Sequence, residues 1–162
     1  MSDYYTEQLV KRKAPASAML IKILLVLVTV LSVVAVMMIP FGIIITALLI
    51  CLDVYLFHNM DLEYEYLYVN GNLDIDKIMA KTRRKRIFSM ELSEMEVIAP
   101  AGAPELRPYQ GIKAKNFGSG NPNAKVYEMI IAQKGDKQKI AFEPNETILE
   151  GMRMMAPRKV FR

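Results

Sequence analysis

The sequence predicts a membrane α-helical hairpin followed by an α+β domain, mainly β, with about seven strands and a C-terminal helix. Three observations carry this: a mainly apolar stretch of forty residues with only two formal charges, a switch to period-two alternation just after it, and a final return to helical spacing.

The chain has 162 residues, enough for one ordinary domain and a short extra module. From Ala18 to Phe57 its only formal charges are Lys22 and Asp53. One span needs about 20 residues to cross a hydrocarbon core of about 30 Å, so this stretch is about twice that length. Pro40, Phe41 and Gly42 divide it, because proline lacks the helical donor and glycine tolerates turn conformations. The expected helices are 19–39 and 42–59. Both are apolar on every side, which suits lipid and not water. The expected organisation is a cytoplasmic tail 1–17, a transmembrane hairpin 18–60, a cytoplasmic domain 61–156 and a tail 157–162.

Orientation follows from flanking charge. Lys11, Arg12, Lys13 and Lys22 stand before or at the start of the first helix, Arg83 to Arg86 follow the second, and the turn carries none. Cytoplasmic loops are enriched in Lys and Arg, so both termini are expected in the cytoplasm. The segment is too long for the apolar core of a cleaved signal peptide. Asp53 reads either as an ion or proton relay or intramembrane polar contact to a partner helix, or as an interfacial carboxylate beside Tyr55, His58 and Asn59, the second being favoured. Cys51, the single cysteine, is expected as a packing residue, with no disulfide and no cysteine metal cluster.

From Leu62 to Tyr68 a leucine and three tyrosines alternate with Glu63, Glu65 and Leu67, the pattern of a strand. Asn70-Gly71-Asn72 is a tight reversal, and Leu73 to Met79 returns as the second strand. The basic run Lys81 to Arg86 reads as a connection before a strand Ile87–Met90. A helical turn is expected at Glu91 to Glu94 and a strand at Met95–Ala99. Residues 100–124 hold four prolines and four glycines and read as the loosest part, with a short strand near Ile112–Phe117. Val126–Gln133 and Lys137–Phe142 form a second hairpin through Lys134, Gly135 and Asp136. Asn145 caps a helix carrying Ile148, Leu149, Met152 and Met155 on one face, ending near Ala156 and Pro157.

Residues 62–99, with the tyrosine strand, the Asn70–Asn72 turn, the strand Leu73–Asp76, the run Arg83–Arg86 and the strand Ile87–Met90, resemble bacterial PH-like membrane proteins. The whole chain resembles a family of small membrane proteins of Gram-positive bacteria that join a transmembrane hairpin to a PH-like domain. The resemblance implies a PH-like fold and a membrane location, and supplies no activity or ligand residues.

Lys81, Arg83, Arg84, Lys85 and Arg86 are the candidate contact for anionic lipid headgroups, since basic clusters near a membrane gain about 1 kcal/mol per residue. Tyr109 and Phe117 in the long loop, and Met152, Met154 and Met155, are weaker candidates for partner contacts. The net charge of +4 is too small to argue for nucleic acid. The sole histidine, His58, sits at the membrane boundary, and no phosphate loop, paired metal ligands or nucleophile elbow is present, so no catalytic residue, cofactor or metal is expected. The expected role is a non-enzymatic binding or scaffolding protein with a protein partner, the alternative being an accessory subunit of a membrane transport complex acting through its helices.

Overall fold

The computed structural model describes residues 4–14, 16–36, 38, 40–133 and 135–162. Ile39, Lys134, Pro15 and residues 1–3, which figured in the expected helix end, hairpin turn and tail, lie outside them.

The chain begins with a strand. β1 (Tyr5–Lys11) pairs antiparallel with β2 (Leu62–Val69), from Tyr5 opposite Val69 to Lys11 opposite Glu63. The residues expected as a tail are therefore the edge of a sheet, and the helical hairpin is inserted inside the β domain. Their alternation is disguised in the sequence: Tyr5 and Leu9 face outward, Leu9 58% exposed, while Thr6, Gln8 and Val10 turn inward. Polar residues inside and apolar ones outside hide a strand from a hydrophobic pattern.

Between β1 and β2 run α1 (Ala16–Ala35) and α2 (Gly42–Asn59). The first starts and stops earlier than expected. The reversal is tight: Phe41 takes a left-handed φ of 66°, and a Cβ added at Gly42 would stand 3.0 Å from the Val36 Cα. By length and composition α1 can cross a membrane, with mean hydropathy 2.7, while the apolar run of α2, Gly42–His58, is shorter.

β2, β3 (Asn72–Met79) and β4 (Arg83–Glu91) complete a four-stranded antiparallel sheet in the order β1-β2-β3-β4. Asn70 and Gly71 turn the chain at φ 47° and 89°, conformations suited to asparagine and glycine. Of the basic run expected as a connection, Lys81 stays in the turn while Arg83 to Arg86 form the first half of β4, with a bulge opposite Ile75 and Asp76. Its strand character has no apolar signal because its side chains are paired or solvated.

A 3-10 turn, Leu92–Glu94, follows, with the Glu94 carboxylate accepting from the Glu91 backbone N–H at 3.1 Å. The second sheet holds β5 (Met95–Pro100), β6 (Ala114–Asn116), β7 (Tyr127–Gln133) and β8 (Asp136–Phe142), ordered β5-β7-β8-β6, with β6 parallel to β8. The long loop is tied down: a 3-10 segment, Pro104–Tyr109, buries Leu106 against Val97, Ala99 and Ile130 on the outer face of this sheet. One such leucine contributes about 1.5–3 kcal/mol.

α3 (Glu146–Met155) covers the open end of the two sheets, Asn145 accepting from the Ile148 N–H at 2.8 Å as its N-cap. Ile148, Leu149 and Met152 enter a core with Tyr66, Leu73, Ile75, Phe88, Met129 and Phe142. The expected tail 157–162 docks as well: Ile98 bonds Lys159 and Phe161 through backbone pairs of 2.8 and 2.9 Å, covering the edge of β5.

β1 is stitched to the far end of the chain. The Gln8 amide donates to the Glu143 carbonyl and accepts from the Asn145 N–H, both at 2.7 Å. Tyr4 packs edge-on against Tyr68 at 5.9 Å, and its hydroxyl donates to the Thr147 carbonyl. A domain cut at residue 61 lacks all of this. We expect residues 61–162 alone to aggregate or stay molten, and a chain joining 1–13 to 61–162 through a three-residue turn to fold, as read by dispersed amide NMR signals.

Candidate functional site

Each tyrosine of β2 buries its ring and sends its hydroxyl to a different element. Tyr64 accepts from Arg12 in the β1–α1 connection, Tyr66 donates to the Phe117 carbonyl at 2.7 Å and accepts from the Glu143 N–H, and Tyr68 reaches the Met155 sulfur at 3.6 Å. Burial pushes the Tyr66 hydroxyl well above the ordinary tyrosine range and the Tyr68 hydroxyl up to about 12. All three rings are inside the core.

The outer face of the first sheet carries a charge network. Arg84 pairs with Glu65 and lies 3.9 Å from Asp76, while Arg86 pairs with Asp74 at 2.9 Å and Asp76 at 3.2 Å. The carboxylates are the buried partners: Glu65 is 2% exposed, against about half for each arginine. Two of the five residues expected to meet lipid are therefore matched to acids. Lys81, in the β3–β4 turn at a left-handed φ of 56°, and Arg83 and Lys85, on the opposite face of β4 from the paired arginines, are exposed.

Antiparallel pairing sets where the turn lies. Leu62 is opposite Met79, and the Ala80 N–H donates to the Asp61 carbonyl at 2.9 Å, so Lys81 stands beside the base of α2. Lys11, Arg12 and Lys13 leave β1 at the same end. With Lys22, Phe57, Met60 and Asp61 they line a cleft of about 440 Å³ where the helices meet the sheet. Lys11 pairs with Asp61 at 3.3 Å, the Arg12 guanidinium stacks 5.7 Å from the Tyr64 centroid, Lys13 donates to Asn121 at 3.2 Å, and Lys22 sits 5.5 Å from the Phe57 centroid. In the sequence these cations served only as an orientation signal. Their convergence needed β1, which the alternation concealed.

Asp53 faces α1, and its Oδ2 accepts from the Thr29 hydroxyl at 2.6 Å. Asp53, Thr46 and Gly42 are buried on one face of α2 against half-buried Leu25, Thr29 and Ser32 of α1, a seam of small and polar residues. Asp53 thus makes a polar contact within the hairpin. Its Oδ1 and the Thr46 hydroxyl are buried and find no hydrogen-bond partner among the described residues. Cys51, expected to pack, lies on the exposed side.

Other candidates disperse. Phe117 packs on Tyr64 and Phe88, and Tyr109 lies under Lys137 at 5.2 Å, which pairs with Glu96. Met152 is in the core, whereas Met154 and Met155 are exposed, the latter bordering an apolar groove with Leu92, Ala156 and Pro157. Among the described residues no group of His, Cys, Asp and Glu is arranged to hold a metal.

Two sheets, the second reached through a 3-10 turn, and a helix across their open end are the frame against which the chain can be compared. Residues 2–162 match the family described as a bacterial PH-like domain (DUF6106). The chain belongs to this family. No curated protein and no solved structure matches it. In this PH-like domain the first and second strands are neighbours in the sheet but are separated in the chain by both long apolar helices.

Two predictions follow from the charge network. Arg84→Ala leaves Glu65 buried without its cation and should cost about 2 kcal/mol, whereas Lys85→Ala should cost less than about 0.5 kcal/mol. Thermal unfolding in detergent, followed by tyrosine circular dichroism, compares them. Burial first, and then the hydrogen bond shared with Glu7, raise the Glu65 carboxyl above its ordinary 4.5. Glu7 is shifted the opposite way by its bonds to Tyr5 and Glu65. A raised folded value gives stability that is complete below pH 4.5 and is lost as pH climbs through the folded value. Glu65→Gln should therefore gain on the parent chain as pH rises from 4.5 through the raised folded value; a constant difference would contradict this.

Proposed function

We propose that this protein is a membrane-anchored, non-enzymatic platform: α1 and α2 cross the bilayer, both termini are cytoplasmic, and the PH-like domain binds a protein partner at the cytoplasmic face. The observation that carries the reading is the division of the hairpin surface. Small and polar residues meet in the seam, while Leu20, Leu24, Leu31, Val34, Ile43, Leu48 and Val54 all point outward and exposed. That is the arrangement for lipid, where the polar groups must find partners internally.

The charge argument also gains support from the fold. In sequence the second basic cluster stands far from α2, where the positive-inside bias is weak. Pairing of β2 with β3 folds Lys81 and Arg83 back beside Asp61, so basic residues surround the base of both helices. The exposed Met155 groove is the surface offered for the protein partner. The accessory-subunit reading would rest on Asp53 and the helix faces, and of Asp53 only Oδ2 is engaged by Thr29 within the hairpin.

Single-cysteine mapping tests the anchor. In a Cys51→Ser background, Met38→Cys in the turn should react with an impermeant maleimide on intact cells, and Lys81→Cys only after lysis. Labelling of Lys81→Cys from outside, or extraction of the protein by carbonate, would refute the topology. Partner recovery by cross-linking should survive replacement of the hairpin by a short turn; recovery with the hairpin alone would favour the accessory subunit.

A further inference from the structure

We propose that the cleft at the base of the hairpin binds the phosphate of an anionic glycerophospholipid, an inference that rests on the membrane reading above. Four cations line it, Lys11, Arg12, Lys13 and Lys22, against one carboxylate, Asp61. Lys11 takes that carboxylate. Arg12 and Lys13 are held by neutral oxygens, those of Tyr64 and Asn121, which fix their positions without cancelling their charge. Lys22 meets the ring of Phe57 and no carboxylate among the described residues. The cleft thus carries an uncompensated positive charge held in a fixed shape.

Its position selects the ligand. Lys22 lies on α1 about 9 Å along the axis from Ala16, at 1.5 Å per residue, inside an otherwise uncharged helix. A lysine there bends its stem toward the polar side, and the cleft is where it arrives. A phosphodiester bound between Lys13 and Lys22 would leave its acyl chains against the exposed apolar faces of the helices. The basic strand β4, by contrast, spends Arg84 and Arg86 on Glu65, Asp74 and Asp76. Lys81, Arg83 and Lys85 stay exposed but no contact among the described residues fixes their side chains, whereas Arg12 and Lys13 of the β1–α1 connection are held in place.

Native mass spectrometry of the full chain, delipidated in detergent, tests this with phosphatidylglycerol, phosphatidylcholine and inorganic phosphate as probes. Phosphatidylglycerol should be retained about tenfold better than phosphatidylcholine, and Lys22→Gln or Lys13→Gln should each weaken it about fivefold. Lys85→Gln, exposed and outside the cleft, should leave it unchanged. Equal retention of the two lipids, or equal loss with Lys85→Gln, would overturn the site. Displacement of the lipid by equimolar inorganic phosphate would assign the cleft to a soluble phosphate and overturn the lipid assignment. The cysteine mapping separates the two readings: a chain that inserts without discriminating lipids overturns this site alone, and one that does not insert overturns both.

Discussion

The pairing of β1 with β2 is the contact on which the rest of the molecule depends. It joins residues on either side of the entire helical hairpin, and without it the first sheet has three strands, Gln8 no longer bridges to the cap of α3, and Tyr4 leaves the face of Tyr68. It also makes the hairpin an insertion held at two adjacent points. A helix pair hung from one strand could swivel; one whose two ends are bonded into neighbouring strands has its base fixed by the sheet.

The β domain and the hairpin are packed in opposite senses. In the β domain aromatic rings go inside and their hydroxyls are satisfied one by one, Tyr64 by Arg12, Tyr66 by the Phe117 carbonyl and Glu143 N–H. In the hairpin the order is inverted: Thr29, Thr46 and Asp53 are the interior and the leucines and isoleucines the exterior. Gly151 marks how closely the β domain is packed, since a Cβ there would come within 2.3 Å of the Tyr4 ring and 2.7 Å of the Tyr68 ring. The preference of helices for alanine over glycine, about 1 kcal/mol, yields here to the space that two aromatic rings require.

What the sequence revealed followed the signals that physics makes periodic. The tyrosine strand, the Asn70-Gly71 turn, the Asn145 cap and the second hairpin were readable because alternation, positive φ and capping each leave residue types at fixed spacing. β1 was not, because its inward residues are Thr6, Gln8 and Val10. The start of β4 was not, because strands stabilised by ion pairs have no apolar rhythm, and the pairing of Arg84 with Glu65 spans two strands. The cleft was half visible: its lysines stood out as charges, but only the register of β1 and β2 brings Lys11 to Asp61 and Lys22 toward Phe57.

The insertion of the helices also sets an order of events during synthesis. β1 leaves the ribosome before β2, and its partner strand does not exist until residues 12–61 have been made, which takes roughly 3 to 10 s at ordinary elongation rates. Throughout that interval its backbone donors and acceptors have no strand to bond, while the apolar helices emerge behind it. The first sheet can close only after both helices have been made, so the folded state of the β domain reports that the hairpin between its first two strands is complete.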